Sequence, residues 1–438
     1  MNTKQLSRRQ FIGRAGMTLT GITAPFIIPS SVWSKTVDEL PSNRITLGFI
    51  GVGKQGLGLL RGFLNTPGTQ VLAVCDVDEL KLQRAKNMVM QHDSFRATGT
   101  NARTCAAYRD FCEIVNRTDI DAVVIATPDH WHAIQSIAAI RSGKDVYCEK
   151  PLSLTISEGR AMVNQARKYY RIFQTGSMQR SDAKFRHACE LVRNGYIGEI
   201  RNVRVSIRTG FLSHPIYCDL SAESVPAELD WELWQGPAPT RPFNAILAPP
   251  ISFDGFPAWR NYYDYSGGGM TDWGAHHFDI AQWGLGMDDS GPVEIIPPNG
   301  TDVEFLTYRY RNGTTMTTDF ESNLILFTGS EGWIEVNRQY LKTSPAGLVN
   351  HTLAAHEIHL YRSANHLLDW LECIRTRNKP ITDVEIGCRS VTVCHLGNTA
   401  VQLQRPLKWN PDQEVFKNDP EANRTLSRAM SSPWSFYA

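Results

Sequence analysis

The chain has 438 residues, 42% of them hydrophobic and 20% charged, which is a folded globular composition and excludes a disordered chain. Its 45 basic and 44 acidic residues leave a net charge of +1, which argues against a polycation built for nucleic acid. No apolar run reaches the roughly 18 residues that a spanning helix needs, so no membrane insertion of the mature chain is expected.

The first 34 residues carry Lys4, Arg8, Arg9 and Arg14 and no acid. Ser7-Arg8-Arg9-Gln10-Phe11-Ile12, followed by a weakly apolar run from Ala15 to Ile28, resembles a twin-arginine export signal. Val32 and Ser34 are candidates for the small-residue positions of a cleavage site before Lys35. The expectation is a signal peptide over 1–34 and export of the folded protein to the periplasm. The 9 cysteines form no CxxC pair, and Cys75 and Cys148 fall in apolar strand runs. Free buried thiols are expected, as in a protein folded before export.

From Arg44 onward, short apolar runs alternate with helical stretches. The pattern predicts strands at Ile45–Ile50, Gln70–Cys75, Ala122–Ala126, Asp145–Cys148 and Ile172–Gln174. Helices are predicted at Gln55–Leu64, Glu79–Gln91, His132–Arg141 and Ser157–Tyr169. Strands apolar on both faces and separated by helices indicate a parallel sheet covered on both sides. After about residue 180 the rhythm changes. A helix at Asp182–Asn194 leads to a strand at Ile200–Arg208, then a Pro- and Trp-rich irregular stretch from Pro215 to Trp259. Strands follow at Val303–Tyr310, Thr314–Glu321, Leu324–Thr328 and Trp333–Asn337, and helices at His366–Arg375 and Ser390–Leu403. The fold class expected is α/β: a dinucleotide-binding domain over 42–176, then an α+β domain over 177–438 with a large, mainly antiparallel, open-faced sheet.

Gly51, Gly53 and Gly56 form a GxGxxG loop between the first strand and the first helix. Such a loop brings backbone amides and a helix N-terminus to a pyrophosphate. Asp76 ends the second strand, 25 residues after Gly51, where a carboxylate binds the adenosine ribose hydroxyls. It favours NAD over NADP because it repels a 2′-phosphate, a preference that Lys54 and Lys81 soften.

Two motifs at later strand ends, Ala126-Thr127-Pro128-Asp129-His130-Trp131-His132 and Cys148-Glu149-Lys150-Pro151-Leu152, complete the pattern. The second resembles the Glu-Lys-Pro motif of the glucose–fructose oxidoreductase / inositol dehydrogenase / MocA family. The resemblance runs through Gly267-Gly268-Gly269-Met270-Thr271-Asp272-Trp273-Gly274-Ala275-His276-His277-Phe278-Asp279 to Asn365-His366, Asp369 and Asp383-Val384-Glu385. It implies a Rossmann domain holding a nicotinamide cofactor, an oligomer built on the open sheet, and a cofactor site including Thr127, His132, Glu149 and Lys150. It further implies that Lys150 stands between nicotinamide and substrate.

Asp272 and His276 are four residues apart, which on a continuous helix places them one turn apart on one face. Oxidising an alcohol needs a base to take the hydroxyl proton as hydride leaves carbon, and histidine suits it. Asp272 is expected to orient the imidazole, and Lys150 to stabilise the developing alkoxide. His277 is the second choice as base, and Asp279 reads as a structural partner. An Asp-x-x-x-His pair can also hold a metal, with His214 a candidate further ligand, but the spacing does not demand one and none is expected. Trp231, Trp234, Trp259, Tyr262, Tyr263 and Tyr265 are available to stack on a sugar ring or to fill a core.

The leading expectation is a periplasmic dehydrogenase oxidising a hydroxyl of a sugar, glycoside or polyol with tightly bound NAD. A glycosidase using NAD for transient oxidation and elimination stands second, although such relatives depart from the Asp-x-x-x-His pattern kept here. A non-catalytic NAD-binding protein is third.

Overall fold

Ile45–Ile50 (β1), Thr69–Cys75 (β2), Ala122–Ile125 (β4) and Asp145–Cys148 (β5) are short apolar runs buried almost throughout, as strands covered on both faces must be. In the computed structural model, which describes residues 43–92 and 104–436, they join Ala106–Tyr108 (β3) and Phe173–Thr175 (β6) in a parallel sheet of order β3-β2-β1-β4-β5-β6. The twin-arginine segment lies outside the described residues.

The crossovers are Lys54–Leu64 (α1), Glu79–Gln91 (α2), Phe111–Val115 (α3), Asp129–Arg141 (α4) and Ile156–Lys168 (α5). Their starts are legible in chemistry: the Asp78 side chain accepts from Leu80 N and Lys81 N, and Thr155 with Glu158 closes a capping box. The strand order reverses between β1 and β4, so a crevice opens at their carboxyl ends, where such sheets hold ligands.

Ala183–Arg193 (α6) leads into Ile200–Ser206 (β7) and the second sheet. This sheet collects β7 with Glu294–Ile296 (β8), Leu306–Arg309 (β9), Thr315–Asp319 (β10), Leu324–Gly329 (β11), Trp333–Val336 (β12), Leu341–Ser344 (β13), Leu407–Asn410 (β14) and Val415–Phe416 (β15). Its order is β13-β12-β11-β7-β10-β9-β8-β14-β15, and β7–β10 is its parallel pair. The α/β class with a mixed, mainly antiparallel second sheet therefore stands as read. Val203, Val205, Tyr308, Met316, Ile325, Phe327 and Ile334 are fully buried, while Arg309 and Trp333, next to Tyr308 and Ile334 in sequence, are exposed. That alternation packs one face of the sheet against helices.

Between β7 and β8 run Trp231–Gln235 (α7), Gly269–Asp272 (α8) and Gly274–Leu285 (α9); His366–Thr376 (α10) and Val384–Leu403 (α11) follow β13, and Pro420–Arg424 (α12) follows β15. Helix α11 starts six residues before the Ser390 expected, because the Asp383 carboxylate accepts from Glu385 N and caps it. Chain order and packing part company at α10. Its Trp370 is fully buried in the first sheet's core, edge-on to Phe63 and Tyr147. All 9 cysteines are free, and six of them in strands and helices, such as Cys75 and Cys148, are buried.

Candidate active site

The turn after β1 is dictated by crowding. Gly51 has φ +84°, and a Cβ there would lie 2.8 Å from the Ala126 carbonyl. A Cβ on Gly56 would lie 2.0 Å from the Gly51 oxygen, so only glycine lets α1 start this close to the strand end. Gly53 is the opposite case, with nothing within 4 Å of its Cβ position. The loop thus leaves open space in front of the α1 N-terminus, the cradle that a pyrophosphate requires. Asp76 anchors the loop from the end of β2: one carboxylate oxygen accepts from Val52 N (2.8 Å) and the other from Asp78 N (3.0 Å). Burial pushes this carboxyl up, against the pull of Lys81 and the two amides. These features fit a dinucleotide: an open glycine loop, a helix N-terminus and an acid at the next strand end.

The loop opens onto a cavity of about 680 Å3 between the first sheet's carboxyl edge, the irregular segment and helices α8 and α9. Gly51, Gly53, Asp76, Thr127, Glu149, Lys150, Asp272 and His276 all line it. Gly56 supports the turn from behind. His132 is not on the wall: its ring nitrogens lie 2.8 Å from the Pro151 carbonyl and 2.9 Å from that of Thr127, and burial holds it down at about 4. It ties the two motif loops together, a role its place in the sequence did not distinguish from cofactor contact. Thr127 donates to Gln135 (2.7 Å), and Glu149 accepts from Gln55 at the head of α1 (2.9 Å).

The stretch from Gly267 to Asp279 is not one continuous helix. It breaks at Trp273 between α8 and α9, and His276 N donates to Trp273 O (3.0 Å) rather than to Asp272. The Asp272 carbonyl that an unbroken helix would offer is taken by Lys150 Nζ at 2.9 Å, and the same ammonium donates to the Asp272 carboxylate at 2.9 Å. Arg260 Nε approaches that carboxylate at 3.4 Å. Burial raises the Asp272 carboxyl, but Lys150 and then Arg260 outweigh it and hold it below the ordinary range. Asp272 is thus the counter-ion of two cations, where a partner of the imidazole was expected.

His276 differs from every other buried histidine among the described residues. His130, His132, His277, His366 and His395 each have a ring nitrogen at a carbonyl oxygen. The His276 Nδ1 is buried with no hydrogen-bond partner, while its ring lines the cavity. Burial, then the charges of Lys150 and Arg338, hold it well below the usual imidazole range. It is therefore neutral at pH 7, the form a general base must start from. His277 points its Nδ1 at Ser206 O (3.0 Å) and is off the wall, and Asp279 is paired with Arg180 (2.8 Å).

Three wall residues had no clear signal in the sequence. Arg260 stacks on Trp259 (4.2 Å), and Arg338 stacks on Trp273 (4.4 Å). Burial pushes the Asp129 carboxyl up to about 7, against Arg260 and a hydrogen bond from Ser266. Asp129 stands in the motif after β4, so its position was visible but its burial was not. Of the aromatics in the irregular stretch, Trp231, Trp234, Trp259 and Tyr265 form a small core of their own, and Trp234 and Trp259 also face the cavity. Among the described residues no three His, Cys, Asp or Glu side chains gather as a metal site, and His214 is bonded to Asn398 (2.7 Å).

The irregular segment also crosses the cleft. Asp230 N donates to Val77 O and Glu79 N to Glu228 O (both 3.0 Å), Lys81 reaches Pro249 O (3.0 Å), and Lys54 reaches the Asp254 carbonyl. No described helix is long and apolar enough to cross a membrane.

Solved structures share this architecture. Aldose-aldose oxidoreductase from Caulobacter crescentus superposes with TM-score 0.56 at 18% identity, over 83% of this chain and 99% of its own. Myo-inositol 2-dehydrogenase from Lactobacillus plantarum gives 0.55 at 19% (83% and 99%). The WlbA dehydrogenase from Bordetella pertussis, in complex with NADH and UDP-GlcNAcA, gives 0.57 at 16% (84% and 99%). At these identities the likeness is one of fold. Among curated sequences, a glycosyl hydrolase family 109 protein from Shewanella pealeana is 28% identical over 213 residues, 45% of this chain and 44% of the relative. Another, from Shewanella sp. (strain ANA-3), is 30% identical over 212 residues, 44% of each. The chain thus spans under half the length of these curated relatives. Residues 45–177 match the NAD-binding Rossmann fold of the GFO_IDH_MocA oxidoreductase family, and residues 181–436 match its C-terminal alpha/beta domain. The chain belongs to the glucose–fructose oxidoreductase / inositol dehydrogenase / MocA family of NAD-binding oxidoreductases.

Proposed function

We propose that this protein oxidises a ring or chain hydroxyl of a sugar, glycoside or polyol to a ketone, with NAD as the hydride acceptor. The observation that carries this reading is the unpartnered, neutral His276 beside the Lys150–Asp272 pair in the cavity onto which the glycine loop opens. Bound NAD supplies the two-electron acceptor. The chain's own groups do the rest. His276 takes the hydroxyl proton, the Lys150 ammonium stabilises the oxygen as it becomes an alkoxide, and Asp272 fixes Lys150 in place. Asp76 favours NAD over NADP, and Lys54 and Lys81 are engaged by Asp254 and Asp78 rather than free for a 2′-phosphate. The contacts of the irregular segment across the cleft support retention of the cofactor through purification.

The similarity to glycosyl hydrolase family 109 proteins favours a second reading, in which the same oxidation starts an elimination and ends in hydrolysis. Mass spectrometry of the products from a panel of free sugars and glycosides, using protein purified with its own cofactor, separates the two. A keto product with matching NADH supports the dehydrogenase, and released reducing sugar without net NADH supports the glycosidase. Neither product from any member would reject both. Export by the twin-arginine route is proposed on Arg8 and Arg9. Unchanged cell fractionation after Arg8→Lys/Arg9→Lys would reject it.

A further inference from the structure

Six cationic side chains line the cavity, and five have a carboxylate partner. Lys54 faces Asp254, Lys81 Asp78, Arg109 Glu79, and Lys150 and Arg260 share Asp272. Arg338 has none among the described residues. Asp182, the acid whose field it feels, is instead paired with Lys184 at 3.0 Å.

Its position is nonetheless fixed. Arg338 sits in the turn between β12 and β13, where the Asn337 side chain accepts from Gln339 N (2.8 Å) and Tyr340 N (2.9 Å), and Asn337 N donates to Tyr340 O (3.0 Å). Its guanidinium lies on the Trp273 indole, 4.4 Å from the ring centroid. With its amide oriented to satisfy both neighbours, Gln179 donates to His276 O (2.9 Å) and accepts from Arg338 Nε (3.1 Å). The Nε edge is thereby occupied, and the guanidinium is tied to the backbone of the base. Arg338 thus stands on the part of the cavity wall next to His276.

We propose that Arg338 is a specificity-determining residue that binds a carboxylate on the substrate, so that the sugar oxidised here is a sugar acid of the hexuronate class. The inference rests on the reading that a sugar occupies this end of the cavity. A guanidinium held over an indole presents a planar fork that matches a carboxylate. A single unpaired cation balances one negative charge, whereas a phosphate monoester brings close to two. Arg338 is also near enough to the imidazoles to hold both His276 and His277 down. An anion bound to it would relax that effect when substrate is present and make His276 a stronger base.

Calorimetric titration of the NAD-loaded protein tests this without requiring turnover. The probes are matched sets of hexuronate, neutral hexose and hexose 6-phosphate in the gluco, galacto and manno series. In at least one series the hexuronate is expected to bind about 10–100-fold tighter than the hexose, the worth of a hydrogen-bonded charge contact. Arg338→Gln should erase that preference while leaving hexose affinity unchanged, and Arg338→Lys should keep part of it. Equal affinity for acid and hexose, tighter binding of the phosphate, no binding of any probe, or equal loss for both sugars in Arg338→Gln would each overturn the proposal. If Arg338→Gln does not fold, the wild-type ranking together with Arg338→Lys decides. Failure to find any oxidised or hydrolysed product rejects the proposed function instead, because the binding ranking is read independently of it.

Discussion

The two ends of the cavity are built by different means. At the glycine loop, the residues that shape the site sit at consecutive strand ends of one parallel sheet: Gly51 and Gly53 after β1, Asp76 after β2, Thr127 after β4 and Glu149 after β5. Short-range sterics dictate most of that geometry. At the His276 end, Lys150, Arg260, the Asp272–His276 stretch and Arg338 come from four separate places in the chain and meet through long-range packing. The first end is a local construction that a motif encodes. The second is an electrostatic arrangement, and its parts acquire meaning from one another.

The largest effect separates two adjacent residues at the second end. His276→Ala is expected to lower turnover by ~10²–10⁴-fold, the usual range for removing a general base, with NAD affinity nearly unchanged. His277→Ala should cost far less turnover, because its ring is bonded to Ser206 O and faces away from the cavity. Steady-state kinetics on both variants in one assay checks this, and the reverse ranking would sink the assignment.

Next come the charges around that base. Lys150→Met should depress turnover by about 10²–10³-fold, as for removal of an oxyanion-stabilising donor. It should also shift the acidic limb of the pH–rate profile. The base must be neutral to work, and Lys150 is the leading charge holding His276 low, so its removal raises that pKa and moves the limb to higher pH. Asp272→Asn should move the limb the other way, because it strips Lys150 of its counter-ion and exposes His276 to the full positive charge. Limbs that move in the same direction for both variants would refute this account of Asp272.

The first end is probed by its glycines, with a smaller effect on catalysis and a clean split between stability and affinity. Gly56→Ala forces a Cβ to within 2.0 Å of the Gly51 oxygen and should destabilise the fold, by about 1–3 kcal/mol as overpacking does. Gly53→Ala meets no protein atom within 4 Å, so stability should hold while NAD affinity falls roughly tenfold, the added methyl occupying the pyrophosphate's space. Thermal melts of the NAD-free protein and NAD titrations resolve the two.

This contrast explains what could be read in advance. The alternation of apolar runs and helices revealed the parallel sheet, because buried strands must be apolar on both faces. The glycine spacing and Asp76 were legible because each answers to a local steric or charge requirement. The helix through Asp272 and His276 was misread because the Asp272 carbonyl is bonded to Lys150, 122 residues earlier, a partner that no local pattern reveals. Strands β3, β8, β13, β14 and β15 were missed because these segments of two to four residues lack a run of apolar or alternating residues long enough to stand out. Arg338 sits in an ordinary-looking hairpin turn, and nothing local says that the turn faces His276.

The smallest effect on catalysis concerns Asp129, which lies where the two ends meet. Its carboxyl, pushed up to about 7 by burial, titrates near 3.9 once the chain unfolds. Folding therefore takes up a proton between those values, and the native state loses stability from this group as pH rises from about 4 to 7. Asp272 has the opposite sign: its lowered pKa adds stability that is lost as pH falls toward and below the ordinary carboxylate range. Asn at position 129 keeps the shape and removes the charge. The melting temperature of NAD-free Asp129→Asn should thus match the wild type near pH 4 and exceed it increasingly up to pH 8. The distance from 3.9 to about 7 is worth about 4 kcal/mol, so at about 2–4 °C per kcal/mol for a domain of 150–250 residues the gap should reach roughly 10 °C. A gap that is constant with pH would mean that Asp129 ionises in the native protein over the same pH range as in the unfolded chain. Arg260, shared between Asp129 and Asp272, would then be holding both carboxylates charged at the junction of cofactor and substrate.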